Sequence, residues 1–167
     1  GDPGRGVAAG VNAVEEAFPV LQELLALKAR VEQRASALPA PPHFQGAPLT
    51  ARLTIAAIQG GSKGSALPGL CRILVNRRYM PEESFDEAWE ELTRAITTGA
   101  ARSRALAVES SLVGHLTPVS GADEGPNWAR WQQALSHGFG FPAGSFLRHG
   151  SSTSSDMGFV QQAGLRE

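Results

Sequence analysis

Few side chains in this sequence are spaced to do chemistry. The four histidines, His43, His115, His137 and His149, stand far apart. None has the three- or four-residue step that brings two ligands to one metal, and no His-Glu-x-x-His run occurs. The lone cysteine, Cys71, allows neither an internal disulfide nor a multi-thiolate metal site. Its place in an apolar run with Ile73 and Val75 predicts a small buried hydrophobe. Ser154, His149 and Asp156 supply the residue types of a hydrolytic triad, but nothing around Ser154 forms a Gly-x-Ser-x-Gly elbow. Arg77 and Arg78 have the chemistry to grip a carboxylate through paired hydrogen bonds. At a strand end such a pair reads more simply as a solvated, ion-paired edge. Catalytic and metal-binding residues are therefore expected to be absent from the chain.

The elements that would position these groups centre on residues 60–83. Gly60, Gly61 and Gly64 make a glycine-rich turn closed by Pro68. Cys71 to Tyr79 alternates as a strand, and Met80-Pro81 stops it. Ser84 with Glu87 fits a capping box for a helix over 84–98, carried by Phe85, Ala88, Trp89, Leu92 and Ile96 and closed by Gly99. Upstream, Asn12 is an N-cap with Glu15 three residues on, and an apolar stripe from Val14 to Leu38 predicts a helix over 13–38. Pro19 lies inside it, so a kink or a restart is expected there. Leu49 to Gln59 reads as a strand with Leu49, Ala51, Leu53, Ile55 and Ala57 on one face, and 102–113 as a further strand.

The order helix, strand, strand, helix, strand becomes βαββαβ if one strand precedes Gly1. The expected fold is α+β: a two-layer ferredoxin-like sandwich, an antiparallel sheet with two helices on one face and its first strand missing, followed by a partial α/β segment. The Pro/Gly/Asp region from Thr117 to Pro126 marks the expected boundary, giving domains 1–116 and 117–167. Beyond it Asn127 caps a short helix in which Trp128 and Trp131 read as core. A short strand over 145–147 and a last helix behind Asp156 complete the chain.

Four motifs then occur in order: Gly10-Val11-Asn12-Ala13-Val14, Gly60-Gly61 before Leu67-Pro68, Arg77-Arg78-x-x-Pro81-Glu82-Glu83, and Ser154-Ser155-Asp156-x-x-Phe159. Together they resemble the metallopeptidase and amidohydrolase family of acetylornithine deacetylase, succinyl-diaminopimelate desuccinylase, carboxypeptidase G and aminoacylase. The resemblance implies that 1–116 is the inserted dimerisation (lid) domain and 117–167 the return into a zinc-bearing catalytic domain. It further implies hydrolysis of an amide in a carboxylate-bearing substrate, such as an N-acyl amino acid or small peptide, by a zinc-bound water. The family's metal ligands and general base fall outside this chain, so no zinc is expected on the segment itself, which is expected to be inactive alone. The loops carrying Gly61 and Ser65, and Ser154, Ser155 and Asp156, are the substrate-facing candidates. Where many members have an asparagine in the Gly-Gly loop this chain has Ser65, and where many have an arginine after the Ser-Asp pair it has Gly158. Assembly as a homodimer is expected, with Arg52, Thr54 and Asn76 as candidate interface residues.

Composition supports a folded domain and little else. The 167 residues are 42% hydrophobic and 19% charged, with a net charge of −1. That balance gives no electrostatic reason to expect nucleic acid or an anionic membrane as partner. An RNA-binding sheet would also need aromatic residues, and the expected strands supply only Tyr79. No apolar run reaches the about 18 residues that cross a bilayer, and no signal peptide opens the chain, so a cytoplasmic protein is expected. The alternative to a peptidase segment is a non-catalytic ferredoxin-like interaction module binding a peptide or small effector. A native start close to Gly1 would favour it.

Overall fold

A computed structural model describes residues 10–121, 125, 127–151, 153 and 155–165. The fold is α+β. It comprises helices α1 (Ala13–Glu16), α2 (Phe18–Val31), α3 (Phe85–Ala100), α4 (Trp128–Phe139) and α5 (Met157–Gln162), and strands β1 (Arg52–Gly60) and β2 (Cys71–Arg78). The two strands form one antiparallel sheet. The chain divides into two compact units. One takes the chain up to Val31, Arg52–Arg78 and Asp86–Ser111; the other takes Glu32–Ala51, Tyr79–Phe85 and the chain from Leu112 onward.

The first unit is a hairpin covered by helices. Asn12 caps α1, its Oδ1 accepting from the amides of Val14 (3.0 Å) and Glu15 (3.4 Å), while its Nδ2 donates to Glu15. The helix breaks at Ala17 and restarts at Phe18, so Pro19 falls in the first turn of α2, where its missing N–H costs nothing. α2 then places Val20, Leu24, Leu27 and Val31 on one buried face, the i, i+4, i+7, i+11 spacing of a single helical stripe. It packs on β1, where Leu53 is fully buried. α3 contributes Ala88 and Ala95, and at Gly99 a methyl group would overlap the backbone of Val20. That glycine is there for close helix approach.

A carboxylate latch ties the end of α3 to the start of the unit. Glu16 accepts from the Arg104 amide (2.6 Å) and Arg104 Nε (2.8 Å), and Ser103 Oγ donates to the Glu16 carbonyl (2.9 Å). The Arg104 amide and then its guanidinium hold the Glu16 carboxyl below the usual range, against the pull of burial. Arg102 adds an ion pair to Glu23 at 2.6 Å.

The second unit is held differently. Leu49 and Ala51 are its buried apolar residues. An isolated bridge joins Ala35 to Thr50, with Ser36 N donating to Leu49 O at 2.8 Å and Ala51 N to Arg34 O at 3.0 Å. Glu82 takes Ser36 Oγ and the Ala37 amide, both at 2.8 Å. Glu83 takes the Met80 amide and Arg34, both at 2.8 Å. Tyr79 Oη meets His115 Nε2 at 2.6 Å within a ring cluster of Tyr79, Phe85, His115 and Phe159. Burial pushes the Tyr79 phenol up. At Gly158, on α5, a methyl group would overlap the Thr117 carbonyl.

Several sequence expectations are corrected. The helix from 13 does not reach Leu38; it stops at Val31, and 34–36 pair with 49–51 instead. The strand expected at 49–59 therefore starts at Arg52. Residues 102–113 form no strand: the root is fastened to Glu16 and Leu106 is wholly exposed, so the apolar residues there have no surface to alternate against. Two strands, not three, make the sheet among the described residues. Residues 143–145 make a turn of 3-10 helix and no strand follows at 145–147. Trp131 is 62% exposed and Trp128 half-buried beneath Arg148, so neither is core.

Candidate functional site

The hairpin brings the interface candidates together. The register sets Arg52 opposite Arg78, Leu53 opposite Arg77, Thr54 opposite Asn76 and Ile55 opposite Val75. Period-two alternation then assigns the faces: Leu53, Ile55, Val75 and Arg77 turn toward the helices, and Arg52, Thr54, Asn76 and Arg78 turn away. Burial agrees, because Leu53 is buried and all four outward residues are exposed. Arg52, Thr54 and Asn76 thus share one open face.

The inward arginine departs from the expected solvated pair. The Arg77 side chain is 4% exposed, lies 3.9 Å from Glu91 of α3, and its Nη1 donates to the Arg78 carbonyl at 2.7 Å. A guanidinium beneath a helix needs such partners, since an uncompensated buried charge costs several kcal/mol. Arg77 is a structural cation and Arg78 an exposed one.

A bulge between Ile55 and Ala57 shifts the register, so that beyond it Ile58 faces Ile73 and Gly60 faces Cys71. This was not visible in the sequence, where Ala57 continues the alternation of Ile55. Its effect is to bring Gly60 against α1: a methyl group at Gly60 would lie 2.5 Å from Val14 Cγ2. Cys71, opposite, is half-buried rather than enclosed.

The loop that follows holds two of the substrate-facing candidates. Gly61 has φ +77, a conformation that favours glycine. It borders a shallow cavity of about 220 Å³ formed by Gly61–Ser62 and Ala66–Leu70. The Pro68 carbonyl accepts from the Ala13 amide at 2.9 Å, anchoring the loop to α1. Ser65 is exposed on the same loop but outside the cavity lining. Residues Gly60-Gly61-Ser62-Lys63-Gly64 also spell the nucleophile-elbow pattern. They follow a strand but lead into turns rather than a helix, so the geometry that exposes a nucleophile is missing.

Of the second candidate group, Ser154 lies outside the described residues. Ser155 Oγ accepts from the Met157 amide at 3.1 Å and so caps α5, whereas Asp156 makes no side-chain cap bond and is exposed. Ser155 rather than Asp156 thus caps the helix, which leaves the Asp156 carboxylate turned to solvent. Gly158 is buried and has no room for a side chain against Thr117. Among the described residues no three His, Cys, Asp or Glu side chains converge to hold a metal, so these residues do not fit the zinc that the family resemblance implies. No helix is long and apolar enough to cross a membrane.

Comparison with known families gives one match: the profile described as Peptidase dimerisation domain aligns with residues 1–104, more than half of the chain. Neither the curated proteins nor the solved structures yield a match. The aligned stretch covers α1, α2, the whole hairpin and α3.

Proposed function

Because the chain belongs to the peptidase dimerisation domain family, we propose that it joins two copies of a metal-dependent amidohydrolase or peptidase. The parent enzyme hydrolyses an amide bond in an N-acyl amino acid or small peptide carrying a free carboxylate, and works in the cytoplasm. Zinc activates the attacking water there. The described residues offer that metal no ligand set, so no catalytic step is assigned to them.

The observation that carries the reading is the open hairpin face. Its residues Arg52, Thr54 and Asn76 are exposed, aligned by the strand register and backed by a buried core that fixes their positions. Rigid backing lowers the ordering cost of association. Under this reading Gly61, Ser65, Ser154, Ser155 and Asp156 face the substrate of the assembled enzyme. The exposed carboxylate of Asp156 suits an amine or amide N–H of the substrate rather than its carboxylate.

Sedimentation equilibrium of the purified chain tests the dimer. A concentration-dependent dimer is expected, and Thr54→Arg, a change at an exposed position, weakens it about tenfold, or ~1.4 kcal/mol. A strictly monomeric species at high concentration defeats the reading.

A further inference from the structure

The turn that carries Ser155 and Asp156 is seated, within the second unit, on residues 115–120. Phe159 of α5 stands edge-on to the His115 ring, 6.0 Å between centroids. Gly158 lies so close to the Thr117 carbonyl that no side chain fits between them. Gln161 accepts from the Ser120 amide at 3.0 Å and donates back to the Ser120 carbonyl at 2.7 Å. A helix of 6 residues does not hold itself. These contacts therefore decide where its first turn points, and with it the exposed Asp156.

His115 is in turn held from elsewhere in the unit. Its ring centroid lies 4.0 Å from that of Phe85, and it stacks on Tyr79 at 5.9 Å with 17° between planes. Its Nε2 is 2.6 Å from the Tyr79 hydroxyl, whose proton burial helps to retain. Ring contacts alone leave an imidazole free to turn over, because its outer torsion is broad and nearly two-fold. A directed bond to one nitrogen removes that freedom. Tyr79 and Phe85 belong to the stretch 1–104 that matches the family domain, whereas His115 and Phe159 lie beyond it.

We propose that Tyr79 and His115 are positioning residues for the Ser155–Asp156 turn. The phenol fixes the orientation of the imidazole, and the imidazole gives Phe159, and so α5, its seat. In the neutral ring the phenol donates to Nε2, which leaves the ring proton on Nδ1. Neither residue touches the substrate. The inference rests on the substrate-facing role given above to Asp156, and extends it by tying that carboxylate to the end of the family domain.

Tyr79→Phe removes one oxygen and keeps both rings. The Phe159 and Val160 amides both donate to the Asp156 carbonyl, at 3.0 and 3.4 Å, and so report on the turn. Their hydrogen exchange is expected to speed about fivefold, the share of one hydrogen bond. The amides of Ser36 and Ala51, bonded elsewhere in the same unit, are expected to keep their rates. His115→Phe gives the same local change, and the double variant no more than either alone, because both remove the same bond. Imidazole nitrogen NMR shifts of the unmodified chain in mildly alkaline buffer report the Nδ1–H form, and Tyr79→Phe loses that bias. Unchanged rates at Phe159 and Val160, equal speeding at Ser36 and Ala51, additive effects of the two variants, or an Nε2–H ring each overturn the positioning role. Sedimentation of the same samples reads the dimer separately. A monomer that shows the local change defeats the proposed function and leaves the seat of α5 standing. A dimer without it does the reverse.

Discussion

The two units of this chain reach stability by different routes. In the first, seven apolar residues, Val20, Leu24, Leu27, Val31, Leu53, Ala88 and Ala95, are buried between helices and hairpin. In the second the buried apolar residues are Leu49 and Ala51, while Trp131, Phe139, Phe141 and Leu147 are each more than 60% exposed. What the second unit has instead is a set of polar stitches, from Glu82, Glu83, Tyr79 and Gln132. Apolar burial is additive and non-directional, whereas each stitch depends on one geometry and contributes only ~1 kcal/mol. The first unit should therefore resist denaturant as a block, and the second should yield bond by bond.

The sharpest test deletes core. Leu24→Ala removes a side chain that is 1% exposed, and a loss of about 3 kcal/mol is expected in the unfolding of the first unit. Trp131→Ala, a larger deletion in the second unit, is expected to cost under ~1 kcal/mol because that side chain is mostly in water already. Equal costs in urea titrations followed by hydrogen exchange would erase the distinction. Gly158→Ala asks where the second unit is tightly built. Its new methyl overlaps the Thr117 carbonyl, and a cost of about 2 kcal/mol is expected.

Acid separates the units more gently. Burial pulls the Glu82 carboxyl up, but the Ala37 amide and Ser36 hydroxyl outweigh it and hold the group below its usual range. A carboxyl depressed in the folded state stabilises above its unfolded value of about 4.3 and loses that contribution as pH falls through the depressed one. Glu16 follows the same sign in the first unit. Glu82→Gln is expected to flatten the acid dependence of amide exchange at 35–51 and leave that of 13–31 unchanged. The smallest effect separates two neighbours: Ser155→Ala loses the cap of α5 and about 1 kcal/mol, while Asp156→Asn leaves stability within ~0.5 kcal/mol. The reverse order, read by thermal unfolding, would return the cap to Asp156.

The same contrast explains what the sequence revealed. Asn12, the restart at Pro19, the strand at Cys71 and the helix behind Ser84 were legible because local chemistry and burial agree there. The helix end at Val31 was not, because Leu38 continues the apolar spacing while pairing of 34–36 with 49–51 wins the backbone hydrogen bonds. The 102–113 strand failed for the converse reason: its residues favour a strand, but among the described residues no strand pairs with them. At the candidate site, Thr54 and Asn76 were assigned to the interface from strand pattern alone, and the register sets them opposite each other. Arg77 was misjudged because sequence shows charge but not the helix above it. Trp128 and Trp131 were taken for core because helical spacing cannot say whether a partner layer exists.

The single extra residue in β1 is absorbed by the bulge, so the pairing distal to it does not depend on it. Excising Ala56 would leave Ile55 opposite Val75 and Ala57 opposite Leu74 in an unbroken ladder, with Gly60 still opposite Cys71 and against Val14. A one-residue deletion at 56 should thus straighten β1 and leave the glycine loop where it is, whereas one at 64, where nothing crowds the backbone, should shorten the loop itself.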